Sequence, residues 1–426
     1  MGRDDNRSHR ERCMLMRQHK HTPFSSLRRA CRTAPAIRDC HRPVAALTLE
    51  LAHVHFIWRC TVSKHEASTQ TVFDPIGQRY EGLARPSGLR YGIIEVTTRC
   101  QLACPGCYMV RRGALNHGSL SFDQAVGVLD RCCEYTGREL ETMDILGGEP
   151  LLWPPLKEYI VELLNRGIKP WLFTNMLTIT PSLARWLFER KVHITGKLNV
   201  DPSDPAQLSV QAAMIGRNER VARRMAAAIS VWLGVGYRNP LFRLQNLVRQ
   251  ANIGFVPDYY RWCLEQGIGT DLELMGSGET VGAEYYAVAP TPKQVARMIE
   301  AIHAVRREYG LPEAEVLMPH VFGSCPFYDK GLYFAADCSI RACSNSTVTL
   351  AHLSDQDPIR KAYESPLICR RLSLCREVVG EPCRSCDRWE RCRGGCRATV
   401  EGMGDPYGGY TLCPLPYLGN GKPKVG

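Results

Sequence analysis

Between residues 91 and 310, six short apolar runs alternate with stretches of helical period. This alternation limits the fold more than any other feature of the chain. The runs are "GIIEVT" (92–97), "TMDIL" (142–146), "PWLFT" (170–174), "VHITGKLNV" (192–200), "LFRLQNLV" (241–248) and "TDLELM" (270–275). Their length and β-branched content are those of buried strands. Helical stretches lie between them. One starts at Ser121, where Gln124 completes a capping box. Another starts at Thr180 with Pro181 in its first turn, and a third follows Pro292. Strands separated by helices pair in parallel through right-handed crossovers. Six such units fall short of the eight that close a barrel. The expected fold is therefore α/β, a partial (βα)6 TIM-like barrel, with its chemistry at the C-terminal ends of the strands.

The first of those strand ends runs into "TTRCQLACPGCYM", which places Cys100, Cys104 and Cys107 in a C-x3-C-x2-C spacing. The chain has 20 cysteines, so either disulfides or metal ligation must account for them. The most apolar early stretch, "PVAALTLELAHVHFIW", is broken by Glu50, His53 and His55 and lacks a cleavage signature. A cytoplasmic protein that uses its thiols for metal is the expectation. No apolar run reaches the length of a membrane span, so no membrane partner is expected. The net charge of +11 is concentrated in residues 1–60, which carry 12 Lys and Arg against 5 Asp and Glu. No basic stripe with interleaved aromatics accompanies it, which argues against nucleic acid. Residues 1–80 are expected to be a basic, disordered extension, of which residues 1–60 are dispensable.

Cysteine thiolates are the usual ligands of iron–sulfur clusters. Three of them on a four-iron cubane leave one iron without a protein ligand, the open position that a catalytic metal needs. A zinc site completed by a distant ligand, or purely structural cysteines, would use the same spacing.

The triad followed at once by an aromatic residue, Tyr108, after the first strand of a βα series resembles the radical S-adenosylmethionine (radical SAM) superfamily. The resemblance extends to "LGGEPLL", in which Gly147, Gly148, Glu149 and Pro150 follow the second strand. It implies a [4Fe–4S] cluster on Cys100, Cys104 and Cys107, with S-adenosylmethionine bound at the open iron. It also implies reductive cleavage of the sulfonium and hydrogen abstraction by a 5′-deoxyadenosyl radical, with an electron from a reductase or from a flavodoxin- or ferredoxin-type donor. By the same resemblance, the GGEP element lies along the methionine amino group, with the Glu149 carboxylate facing the ammonium. Tyr108 would lie near the adenine, its backbone making the contact. Lys197 or Asn199, on the fourth strand, would reach the ribose or carboxylate, although a solvated strand residue would read the same way. "FTN" (173–175) is similar to the usual end of the third strand in that superfamily.

Ten of the 20 cysteines lie between Cys325 and Cys413. "CRSCDRWERCRGGC" sets Cys383, Cys386, Cys392 and Cys396 in C-x2-C-x5-C-x3-C, and Cys413 follows. With Cys325 and Cys343 upstream, this resembles the SPASM extension, which holds two auxiliary [4Fe–4S] clusters; two zinc knuckles are the alternative. The resemblance implies an outer cluster on Cys383, Cys386, Cys392 and Cys413, and an inner one on Cys325, Cys343 and Cys396. Cys338 stands where the family has a turn glycine, and its thiol is expected as the fourth inner ligand. Cys132, Cys133 and Cys263 fall in helical patterns and read as small core residues.

The expected domains are the extension (1–80), a radical SAM core (85–315) and a SPASM-like domain (318–426). The expected activity is radical SAM oxidoreductase chemistry, an oxidation or crosslink, on a peptide or protein substrate. A small-molecule dehydrogenase or epimerase is the enzyme alternative, and a non-catalytic iron–sulfur electron carrier is the alternative of another class. Ser344 stands after Cys343 where sulfatase-maturing members carry an aspartate base, and no peptide-recognition domain is legible near the N-terminus. No residue is singled out as the catalytic acid or base.

Overall fold

The structure is a computed structural model. It describes residues 88–274, 287–314, 318, 325 and 327–419, together with the strand pair Val72–Phe73 and Arg79–Tyr80. The rest of the expected extension, including the whole dispensable segment 1–60, lies outside the described residues.

The six expected strands are β1 (Tyr91–Thr97), β2 (Thr142–Gly147), β3 (Lys169–Thr174), β4 (His193–Lys197), β5 (Phe242–Val248) and β6 (Gly269–Leu274). Each pairs in parallel with the next. The helices between them are α1 (Phe122–Thr136), α2 (Leu156–Asn165), α3 (Pro181–Glu189), α4 (Glu219–Gly234) and α5 (Val256–Glu265), with α6 (Pro292–Glu308) after β6. Their starts are set by local chemistry. Ser121 accepts from the Gln124 backbone at 3.1 Å while the Gln124 side chain accepts from the Ser121 backbone at 2.8 Å. Thr180 caps α3 through the Leu183 backbone at 3.2 Å.

Alternation along the strands divides the sheet into two faces. Ile94, Val96, Met143, Ile145, Leu172, Ile194, Leu244 and Leu272 face the helices and form the main core. Cys132 and Cys263 are fully buried in it, as small core residues. The opposite, inner face carries Glu95, Asp144, Trp171, Lys197, Gln245 and Glu273. The fourth strand ends earlier than its apolar run. Past Lys197 the chain turns, because Asn199 is tied to Gln211 and to the Leu247 backbone.

Three further strands extend the same sheet. β7 (Gly331–Phe334) pairs in parallel with β1, then β8 (Ser339–Arg341) and β9 (Ala351–His352) follow antiparallel. The nine-strand order is β9-β8-β7-β1-β2-β3-β4-β5-β6. The start of the cysteine-rich region is thus built onto the edge of the core sheet. Its remaining cysteines lie beyond β9, among short helices and turns. Among the described residues no helix is long and apolar enough to cross a membrane.

Candidate functional site

The loop after β1 is fixed from three sides before any thiol is considered. The Thr98 hydroxyl accepts from the backbones of His117 and Gly118, each at 2.8 Å. Asn116 accepts from the Cys100 backbone at 3.0 Å. Arg217 donates to the Gln101 carbonyl at 2.8 Å, and Arg249 donates to the Pro105 carbonyl. Asn175, at the end of β3, directs its amide to the Cys100 sulfur at 3.7 Å. Cys100, Cys104 and Cys107 are all partly buried. Burial pushes the Cys100 thiol up to about 12 and the Cys104 thiol up to about 11; Lys197 and Arg249 pull Cys104 back in part. Thiols so placed ionise readily only beside a cation, which is what a metal cluster supplies. Buried donors surround them: Arg111 Nε and Nη1 and Arg249 Nε have no hydrogen-bond partner.

The GGEP element is placed beside this loop. Gly148 donates to the Thr97 carbonyl at 2.7 Å, and Glu149 donates to the Arg99 carbonyl at 2.8 Å. A Cβ on Gly147 would lie 2.2 Å from the Thr97 oxygen, and one on Gly148 2.3 Å from the Arg99 oxygen. The glycines are required so that the end of β2 can dock on the cysteine loop. The Glu149 carboxylate, expected to face a ligand ammonium, is held by donors of the fold. That side chain is 0% exposed and accepts from Thr174 Oγ1 (2.7 Å), the Asn175 backbone (2.7 Å) and the Leu151 backbone (3.1 Å). Three donors inside the fold saturate it, and burial raises it to about 7. Pro150 opens the 3-10 turn that this carboxylate caps. "FTN" earns its place here, since Thr174 and Asn175 are the residues that Glu149 binds.

Tyr108 opens the helical turn Tyr108–Arg111. Its hydroxyl donates to the Gly147 carbonyl at 3.2 Å, and its ring meets Tyr333 of β7 edge-on at 6.4 Å. Lys197 lies on the inner face, donating to Gln245 at 3.4 Å, and burial lowers it to about 8. Asn199 is 2% exposed, with its amide committed to Gln211 and Leu247. The structure therefore leaves Lys197, and not Asn199, facing the interior.

A network that sequence reasoning missed joins this loop to the sheet extension. Glu95, 2% exposed, accepts from Arg112 at 2.6 Å, from the Tyr333 hydroxyl and from the Ala336 backbone at 3.2 Å. The Arg112 guanidinium lies 5.0 Å from the Tyr108 ring centre and 5.8 Å from that of Tyr333. The one signal was a glutamate inside the apolar run "GIIEVT".

Two cavities gather the C-terminal cysteines. One is lined by Cys383, Cys386, Cys392 and Cys413, with Trp389 and Tyr410. Cys383 accepts from the Tyr410 backbone and Cys386 from the Arg388 backbone, both at 3.4 Å. The second is lined by Cys325, Cys343 and Cys396 with Arg371 and Arg397. Arg371 is held by Glu401 at 2.5 and 3.0 Å. Burial pushes the Glu401 carboxyl up, but the guanidiniums of Arg371 and Arg370 outweigh it and hold that carboxyl below its ordinary range. Cys338, expected as the fourth ligand, is not among the residues lining this cavity. Its backbone has φ +64°, the turn conformation that favours glycine, and its sulfur lies 3.7 Å from the Gln124 amide on α1. Among the described residues no three His, Cys, Asp or Glu side chains converge on a single-ion site.

No family model matches the chain. It is 26% identical over 348 residues to a PqqA peptide cyclase of Streptomyces rochei, covering 73% of this chain and 84% of that one. It is 24% identical over 353 residues to the PqqA peptide cyclase of Gluconobacter oxydans, covering 76% and 90%. In fold it matches Streptococcus suis SuiB bound to S-adenosylmethionine, with a TM-score of 0.58, 16% identity and coverage of 77% and 78%. It also matches anSMEcpe with bound AdoMet, with a TM-score of 0.58, 16% identity and coverage of 76% and 93%. With the cysteine triad at the mouth of a six-strand parallel sheet and the GGEP turn docked on it, the chain is similar to radical SAM enzymes of the SPASM-containing branch.

Proposed function

We propose that this enzyme oxidises or crosslinks a peptide or protein substrate by hydrogen abstraction and carries three [4Fe–4S] clusters. Cys100, Cys104 and Cys107 would hold the catalytic cluster. Cys383, Cys386, Cys392 and Cys413 would hold one auxiliary cluster, and Cys325, Cys343 and Cys396 the other. The observation that carries this reading is the incomplete ligand set: three thiols at the C-terminal mouth of the sheet, ringed by buried guanidinium donors without partners. When bound there, the cluster and S-adenosylmethionine supply the 5′-deoxyadenosyl radical.

The chain's own residues hold and shield that site. Arg111 and Arg249 offer N–H groups to an anionic group, such as the carboxylate of the bound methionine moiety. Lys197 would add a cation on the inner face. The Tyr108 backbone, whose ring is anchored in the Glu95–Arg112–Tyr333 network, would border the adenine. Glu149 keeps β3 and the GGEP turn in place without touching the ligand. The peptide reading draws on the PqqA peptide cyclases to which the chain is similar. The proposed domains remain a core over 85–315 and a SPASM-like region over 318–426. A cytoplasmic location and a flavodoxin- or ferredoxin-type donor complete the proposal.

The experiment is anaerobic reconstitution followed by assay of 5′-deoxyadenosine with deuterium-labelled peptides. Deuterium in that product, with loss of two hydrogens from the peptide, supports the reading. Formation of 5′-deoxyadenosine without transfer from any peptide would return the substrate to the small-molecule class.

A further inference from the structure

The inner face of the sheet carries a carboxyl that no bond in the fold accounts for. Asp144 lies on β2 between Met143 and Ile145, both in the helix-backed core. Its side chain therefore points to the other face, into the half-barrel. In register it lies beside Ile93 of β1 and Trp171 of β3. Among the described residues it makes no hydrogen bond and no ion pair. It is half-buried on that face.

The other charges on that face are matched. Arg243 donates to Asp271 at 2.8 Å and to the Thr270 carbonyl at 2.8 Å. Lys197 reaches Gln245, which donates to Glu273 at 2.7 Å. With these two cations matched to Asp271 and Glu273, the Asp144 carboxyl is left over. Beside it, the Trp171 indole is fixed by its donation to Thr195 at 2.7 Å and by stacking on His193 at 4.8 Å. Burial, and then the charge of Asp271, raises the Asp144 carboxyl to about 7. An incoming cation would restore its ionised form.

We propose that Asp144 and Trp171 form a docking subsite for a positively charged group of the substrate: a lysine or arginine side chain, or a free amino terminus. A carboxylate beside an aromatic ring attracts a cation through both charge and ring quadrupole. The inference rests on the peptide reading above for its substrate class. It makes Asp144 a specificity residue and gives it no part in radical formation.

The test uses the reconstituted holoenzyme and three small probes: Nα-acetylarginine amide, its neutral near-isostere Nα-acetylcitrulline amide, and Nα-acetylglutamate amide. Binding is followed by ligand-observed NMR. The arginine probe should bind about tenfold more tightly than the citrulline probe, with the glutamate probe weakest. Asp144→Asn should abolish the preference, and Trp171→Leu should reduce it about threefold. Equal binding of arginine and citrulline probes by the wild-type enzyme overturns the proposal, as does an undiminished preference in Asp144→Asn. If Asp144→Asn loses iron and cannot be used, an unchanged preference in Trp171→Leu overturns it. The broader reading is judged separately. Deuterium transfer from no peptide, with the charge preference intact, would reject the peptide reading and leave the subsite standing.

Discussion

The cysteine loop after β1 and the cysteine-lined cavity near the C-terminus use the same ligand chemistry, but different things hold them. The loop's three thiols ride on the end of a buried parallel strand. Asn116, Arg217 and Arg249 brace its backbone, so the site is built before any iron arrives. The four thiols of the cavity ride on turns and on a single four-residue helix, Trp389–Cys392, beside the buried Trp389 and Tyr410. A rigid scaffold can afford an incomplete ligand set and leave one position for chemistry. A loop-built site needs a full set, because there the metal helps to hold the fold.

The sharpest way to break this comparison is to remove each ligand set. Replacing Cys100, Cys104 and Cys107 together by Ala should remove about four of about twelve irons. It should take 5′-deoxyadenosine formation below detection while changing the melting temperature little. Continued SAM cleavage in this variant would end the catalytic assignment of the loop.

The converse change is next in size. Cys383→Ala should also remove about four irons, but with SAM cleavage retained and a clear fall in melting temperature. If calorimetry shows the opposite ordering, with the loop variant less stable than the cavity variant, the proposed division of labour is wrong.

Glu149 sharpens the claim that the loop site is prebuilt. Glu149→Ala leaves the Thr174 hydroxyl and the Asn175 and Leu151 amides without their acceptor, and should cost about 2–4 kcal/mol in denaturant unfolding. The sign of its pH effect follows from its raised folded value of about 7, against 4.5 unfolded. The folded protein binds the extra proton in that window, so this group's contribution to stability falls as pH rises from about 4.5 to about 7. Glu149→Gln should flatten that slope. A large loss of SAM affinity in Glu149→Gln at unchanged stability would instead restore a direct ligand contact.

The smallest effect is expected at Cys338. Cys338→Gly relieves a left-handed backbone and should change stability by no more than about 1 kcal/mol. Iron content and the auxiliary-cluster spectrum should be unchanged, because the thiol faces Gln124 and not the three-cysteine cavity. Loss of iron in this variant would place Cys338 back among the ligands.

The sequence by itself determined the strands, the crossover helices and their caps, since periodicity and capping are local and survive without partners. It also grouped Cys383, Cys386 and Cys392, which line one cavity, because residues so close in sequence stay close in space. Tertiary structure decided what each polar group faces. Glu149 looked like a ligand contact, yet the end of β3 supplies it with two donors and the Leu151 backbone with a third. Asn199 looked equivalent to Lys197 by strand alternation, but the strand ends between them. Cys338 was read as a ligand because a cysteine replaced a glycine; the structure adds its positive φ and a sulfur 3.7 Å from the Gln124 amide of α1. Asp144 gave no signal inside "TMDIL". An inward carboxyl is defined by register with Ile93 and Trp171, and by the pairing of Arg243 with Asp271, relations that join residues 27 to 51 positions apart.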